Sequence, residues 1–264
     1  MATAMSLRII FFEAYCWLSM ACAFPSYAIG GPLLVFAQIP LAGLACVFDW
    51  HVSDTLRQNA DRIVAHGLAP SRFHVFCDIG LLLITSQCLN VSLAVMSGCY
   101  EAEAHYDWPL FLHVVLCLGL TEIVFTMIHQ YFLHGTKLGG KIHELHHTCR
   151  PTSFTTTFLF HFWDSFAEFI LPQLAMAMFG IHVLEDPFSL YCGLQIANLW
   201  YSVGDHSENL KLGHYWHHQH INSNYSVYTN LPSKLLLNNK PATDCVRELV
   251  FGKMRILKQG RRQQ

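Results

Sequence analysis

This chain is short of charge. Asp, Glu, Lys and Arg make up 13% of its 264 residues, against about 25% in an ordinary soluble domain. Hydrophobic residues make up 53%, so there is too little charge to cover a water-facing surface around so much apolar material. The formal net charge is −2, and there is no basic stripe, P-loop or G-x-G-x-x-G, which excludes the usual routes to nucleic acid and nucleotides. C-x-x-C pairs are also missing. The ten cysteines stand singly, mostly in apolar runs where Cys acts as a small hydrophobe, so neither a disulfide framework nor a zinc ribbon is expected. No internal repeat or low-complexity segment is present.

What is abundant is apolar sequence in lengths that suit a bilayer, which takes about 20 residues per helix. Leu7 to Phe48 is broken near Pro25 and at Gly30-Gly31-Pro32, which predicts two helices, 7–29 and 32–48. Further spans are expected over 73–97 and from 108 to about 128. Residues 166–183 and 187–203 form two shorter stretches, a hairpin or helices lying in the interface. The expectation is an all-α polytopic membrane protein with about four transmembrane helices, or six if the last two cross. Residues 1–128 would be membrane helices and 129–264 a helical histidine domain with an apolar segment at 166–203. Ala21-Cys22-Ala23 resembles a signal-peptidase site, but Glu13 inside the preceding stretch argues against cleavage.

Orientation follows from Lys and Arg. Arg57, Arg62 and Arg72 lie in 50–72; Lys137, Lys141 and Arg150 surround one histidine cluster; more follow Lys211. Loop 98–107 has none and carries Glu101 and Glu103. That loop should face the lumen or the outside, and the histidines and C-terminus the cytosol.

Histidine is the other excess. Twelve of the seventeen fall between His129 and His220. Eight lie in three clusters: His129-x4-His134, His143-x2-His146-His147 and His214-x2-His217-His218. Positions i, i+3 and i+4 share a helical face, so each H-x-x-H-H can aim three imidazoles into one cavity. A spacing of five does not share a face on a regular helix, so the fourth span should end or bulge between His129 and His134. His161 and His206 are further candidates, as ligands or as hydrogen-bonded supports, and His220 reads as a support. Glu122, seven residues before His129, is a candidate carboxylate for holding an imidazole tautomer. His113, alone in the fourth span, reads as a satisfied core residue. Eight to ten imidazoles exceed one ion's needs and suit two. Imidazole accepts Fe, Zn, Cu and Ni alike; two irons at a membrane surface would suit O2 attack on a lipid C–H bond.

Glu122-Ile-Val-Phe-Thr-Met-Ile-His129, Lys141-Ile-His143-Glu-Leu-His146-His147 with Pro151, His161-Phe-Trp-Asp164, and His214 to His218 followed by Asn224-Tyr225 together resemble the fatty acid hydroxylase / sterol desaturase superfamily. The resemblance covers roughly Glu122 to Tyr225. His143 follows His129 by only fourteen positions, unlike the acyl desaturases, whose first two boxes are well separated. Phe162 stands where the family often has proline, and Ser226 where it has glycine. The resemblance implies a di-iron oxygenase of the endoplasmic reticulum membrane that hydroxylates or desaturates a sterol, fatty acyl or sphingoid lipid with O2. Its metal ligands would come from His129, His134, His143, His146, His147, His161, His206, His214, His217 and His218. No H-P-G-G haem motif is present, so the cytochrome b5-type donor would be a separate protein. The competing reading is a non-redox metal protein, a zinc-dependent membrane hydrolase or a metal carrier. A hydrolase needs a general base, and Glu144 is the only carboxylate within a box.

Overall fold

A computed structural model describes residues 38–99, 102–150, 152, 154–200, 206, 214–219, 221, 224–229 and 232. The expected helix 7–29, the start of 32–48, His220 and the basic tail lie outside them. The described residues contain no strand. In chain order they form α1 (Gln38–Val52), α2 (Asp54–Ala65), α3 (Arg72–Met96), α4 (Trp108–Leu133), α5 (Lys137–His147), a 3-10 turn (Phe154–Phe158), α6 (Phe162–Leu184), α7 (Pro187–Leu199) and α8 (His214–Gln219).

Three of these are long and apolar enough to cross a membrane: α3, α4 and α6, with 25, 26 and 23 residues. At 1.5 Å per residue they reach about 35–39 Å, enough for a hydrocarbon core of about 30 Å. Their starts are written into the sequence. Ser71 caps α3 through the His74 N–H, and Asp107 caps α4 by accepting from the Leu110 N–H, with proline in the first turn. Trp108, Phe111, Leu112, Val115, Leu116 and Ile123 of α4 are exposed, and such a surface calls for lipid rather than water.

The segment 166–203 resolves into a hairpin over its described part. α6 runs away from the histidines, Glu185 turns the chain in the left-handed region at φ 52, and α7 returns. Asp186 caps α7 through the Ser189 N–H. Both helices pack on α4 around Cys117, Phe169, Met176, Tyr191 and Leu194. Two side-chain amide pairs lock α7 to α3. Gln87 and Asn198 exchange bonds of 3.0 and 2.8 Å, while Asn90 accepts from Gln195 at 2.8 Å and donates to the Leu194 carbonyl at 3.0 Å. Such bonds contribute a net of only about 1 kcal/mol each, so they set the helix register more than the stability.

A second core joins α1–α3 to the histidine region. Leu56, Ala60 and Ile63 from α2 and Val75, Ile79 and Leu83 from α3 pack with Cys149, Phe158 and Leu159. Polar links reinforce it: the Thr155 hydroxyl donates to Asp49, and Arg62 to the Arg150 carbonyl.

The far end of α4 holds its own cluster. Asp186 accepts from His113 Nδ1 at 2.8 Å and His105 Nε2 at 3.1 Å, and His105 Nδ1 lies 2.9 Å from Asp107. His113 is therefore satisfied, as expected, by a carboxylate, but it is half-buried rather than in the core.

Candidate metal centre

α4 is α-helical to Met127 and then widens into a π-helical turn, Ile128–Leu133. The His134 N–H donates to the His129 carbonyl at 2.9 Å, an i to i+5 bond that stacks two residues a plain α-helix would splay apart. The expected bulge is this turn, and it brings the two Nε2 atoms to 3.1 Å. α5 begins at Thr136, whose hydroxyl accepts from the Gly139 N–H at 2.9 Å. Gly139 packs so tightly on the π turn that a Cβ there would sit 2.0 Å from the Phe132 carbonyl oxygen. Only glycine lets α5 come this near.

Nine imidazoles meet in two groups. His129, His134, His143, His147 and His217 form one, and His146, His206, His214 and His218 the other. Each H-x-x-H-H is split between them. From α5, His143 and His147 face the first group and His146 the second; from α8, His217 faces the first and His214 and His218 the second. The boxes do not each serve one cavity, as the shared-face argument predicted; they straddle two. His206 completes the second group, held where the Thr152 hydroxyl donates to its carbonyl at 3.0 Å. His161 is brought to neither group. It is exposed at the start of α6, where its Nδ1 accepts from the Trp163 N–H.

Each group contains a triangle of Nε2 atoms. His134, His147 and His217 are 3.0–3.2 Å apart; His146, His206 and His218 are 2.8–3.2 Å apart. A neutral imidazole offers one N–H and one lone pair in fixed directions, so protons cannot satisfy all three edges of such a triangle. A cation can. At metal–nitrogen distances of about 2.0–2.1 Å, two ligands at a right angle are about 2.9 Å apart and at a tetrahedral angle about 3.4 Å apart. All the observed separations but the 2.8 Å of His206 and His218, which falls just short, lie within that range, so the residues fit two metal ions.

Their protonation suits the same role. Burial, then repulsion from neighbouring imidazoles, pushes His146, His214 and His218 well below the ordinary histidine range. His134 is pushed down to about 3, mainly by burial. Neutral imidazole is the form that binds a metal. Among the described residues, Nδ1 of His146, His147 and His218 has no hydrogen-bond partner, and their Nε2 atoms converge on their neighbours instead.

Carboxylates back the first group. Asp164, buried on α6, sits with both oxygens 2.9–3.0 Å from His143 Nδ1. It fixes that N–H, so the Nε2 lone pair points at the group. Glu168, one turn on, lies 3.4 Å from His129 Nδ1. The carboxylate beside His129 is thus Glu168 and not Glu122. The signal was available: two acids four apart at the start of an apolar span are suspect by default.

Glu122 does something else. It is 4% exposed and accepts three backbone N–H groups: Val227 at 3.2 Å, Tyr228 at 2.8 Å and Thr229 at 2.7 Å. Asn224 turns the chain toward it in the left-handed region, φ 59, which Asn tolerates. Ser226, buried, accepts from Thr126 of α4 at 3.0 Å. The loop so held lays the Tyr225 ring 5.0–5.8 Å from those of His129, His134 and His217. Phe160 stacks on His146 with 4.4 Å between centroids, walling the second group in carbon. No family model, curated protein or solved structure matches this chain.

Proposed function

We propose that this chain is a membrane-bound di-iron oxygenase of the fatty acid hydroxylase / sterol desaturase type. It would hydroxylate or desaturate a sterol, fatty acyl or sphingoid lipid, with O2 as oxidant and a separate cytochrome b5-type protein as electron donor. The observation that carries the reading is the convergence of nine imidazoles in two groups at the ends of helices long and apolar enough to cross a membrane. Iron held there would supply O2 binding and reduction. His129, His134, His143, His147 and His217 would hold one ion, and His146, His206, His214 and His218 the other. Asp164 orients His143, Glu168 lies within ion-pair distance of His129, and the rings of Phe125 and Phe160 shield His129, His214 and His146 from water. The charge asymmetry of the loops supports a cytosolic site and C-terminus in the endoplasmic reticulum membrane, where reductant is at hand.

The test is a comparison of lipids from cells with and without the protein, then with His146→Ala and His217→Ala. A lipid product that needs O2 should vanish in both variants, while much of the protein still reaches the membrane, because the apolar helices insert independently. Full product formation by both variants refutes the reading. Turnover that proceeds without O2 favours the non-redox zinc alternative.

A further inference from the structure

The two histidine groups differ in access. A pocket of about 350 Å³ is lined by His134, His143 and His147 of the first group, with Glu144, Thr148 and Ile221 around them. None of the second group lines it. Those four histidines are 0–1% exposed, whereas His134 and His147 are half-buried. Glu144 stands exposed beside them, one residue after His143.

We propose that this pocket is the port through which the first group gains and loses its metal ion, with Glu144 as the capture ligand, and that the second group's ion exchanges only when the protein opens. The inference rests on the two-ion reading above. Releasing a bound ion requires an incoming donor, water or chelator, to approach as each imidazole leaves. His134 and His147 present an open side to such a donor. The second group, behind Phe160 and with every ring buried, has none, so its exchange waits on local unfolding. The exposed carboxylate of Glu144 raises the concentration of cations at the mouth and supplies a weak oxygen ligand that hands the ion to stronger nitrogen ligands.

The experiment uses the full chain in detergent, loaded with two ions, challenged with excess EDTA and sampled for bound metal over time. One ion per chain should leave in a fast phase and the second at least ~10-fold more slowly, since it waits on opening. His134→Ala should abolish the fast phase and keep one slow ion; His206→Ala should abolish the slow phase. Ile221→Trp, or Thr148→Trp if the first does not fold, should fill the pocket and slow the fast phase. Glu144→Gln should slow Co²⁺ refilling of the vacated position by about three-fold while leaving the slow phase alone. Loss of both ions in one phase, or an unchanged fast phase in the filled pocket, overturns the proposal. A parent protein that retains fewer than two ions refutes the two-ion reading, and the port falls with it.

Discussion

Removing the Glu122 carboxylate tests the architecture most sharply. In Glu122→Ala three backbone N–H groups, of Val227, Tyr228 and Thr229, lose their shared acceptor at a position that is 4% exposed. Leaving a buried donor unsatisfied costs about 1–3 kcal/mol, less whatever water restores. The loop 224–229 should therefore lose about 3–5 kcal/mol of docking energy. Glu122→Gln keeps one carbonyl oxygen but turns an N–H2 toward backbone donors, so it should lose roughly half as much. Amide hydrogen exchange in detergent reads the effect directly. The amides of Val227 to Thr229 should exchange roughly a hundred-fold faster or more in Glu122→Ala, with Glu122→Gln between, and bound metal should fall as Tyr225 leaves the first group. If those amides stay protected while metal is lost, Glu122 acts on an imidazole after all and the loop-clamp argument is wrong.

Further expectations follow from other contacts. Gly139→Ala should prevent α5 from docking, because its Cβ would lie 2.0 Å from a carbonyl oxygen, whereas Gly140→Ala, whose nearest neighbour is 3.7 Å away, should fold and melt like the parent. Asp164→Ala frees the His143 ring and should weaken metal affinity about 10–100-fold, measured by competition with a chromophoric chelator. The metal-free protein should lose thermal stability as pH falls. The unfolded chain binds protons on its histidines below about 6.5, whereas in the folded state His134 stays neutral down to about 3, with His146, His214 and His218 also depressed. Stability is then fully present above 6.5 and declines between there and 3. A flat melting temperature from pH 7.5 to 5 in the metal-free form would contradict this.

Much of this protein was legible in one dimension, because the relevant physics is local. Apolar length marks a membrane helix whatever surrounds it, so 73–97 and 108–128 were found within a residue at one end or the other, although α4 continues through its π turn to Leu133. A five-residue spacing cannot share an α-helical face, so a break at His129–His134 was required and the π turn supplies it. Clusters of side chains that could hold a metal ion were announced by residue type and spacing alone. The amide pairs between α3 and α7, and the bridge from Asp186 to His105 and His113, were not legible: each depends on which helix faces which, and those partners lie 73–111 positions apart in sequence. The role of Glu122 was misassigned for the same reason. Periodicity put Glu122 on the face of His129, but the returning loop claims it, and Glu168 arrives beside His129 from α6. The division of each H-x-x-H-H between two groups is also tertiary. A helix face about 100° wide gathers three imidazoles on one side, but which cavity each ring enters depends on where α8 crosses α5 and on His206, and only the folded chain fixes that crossing.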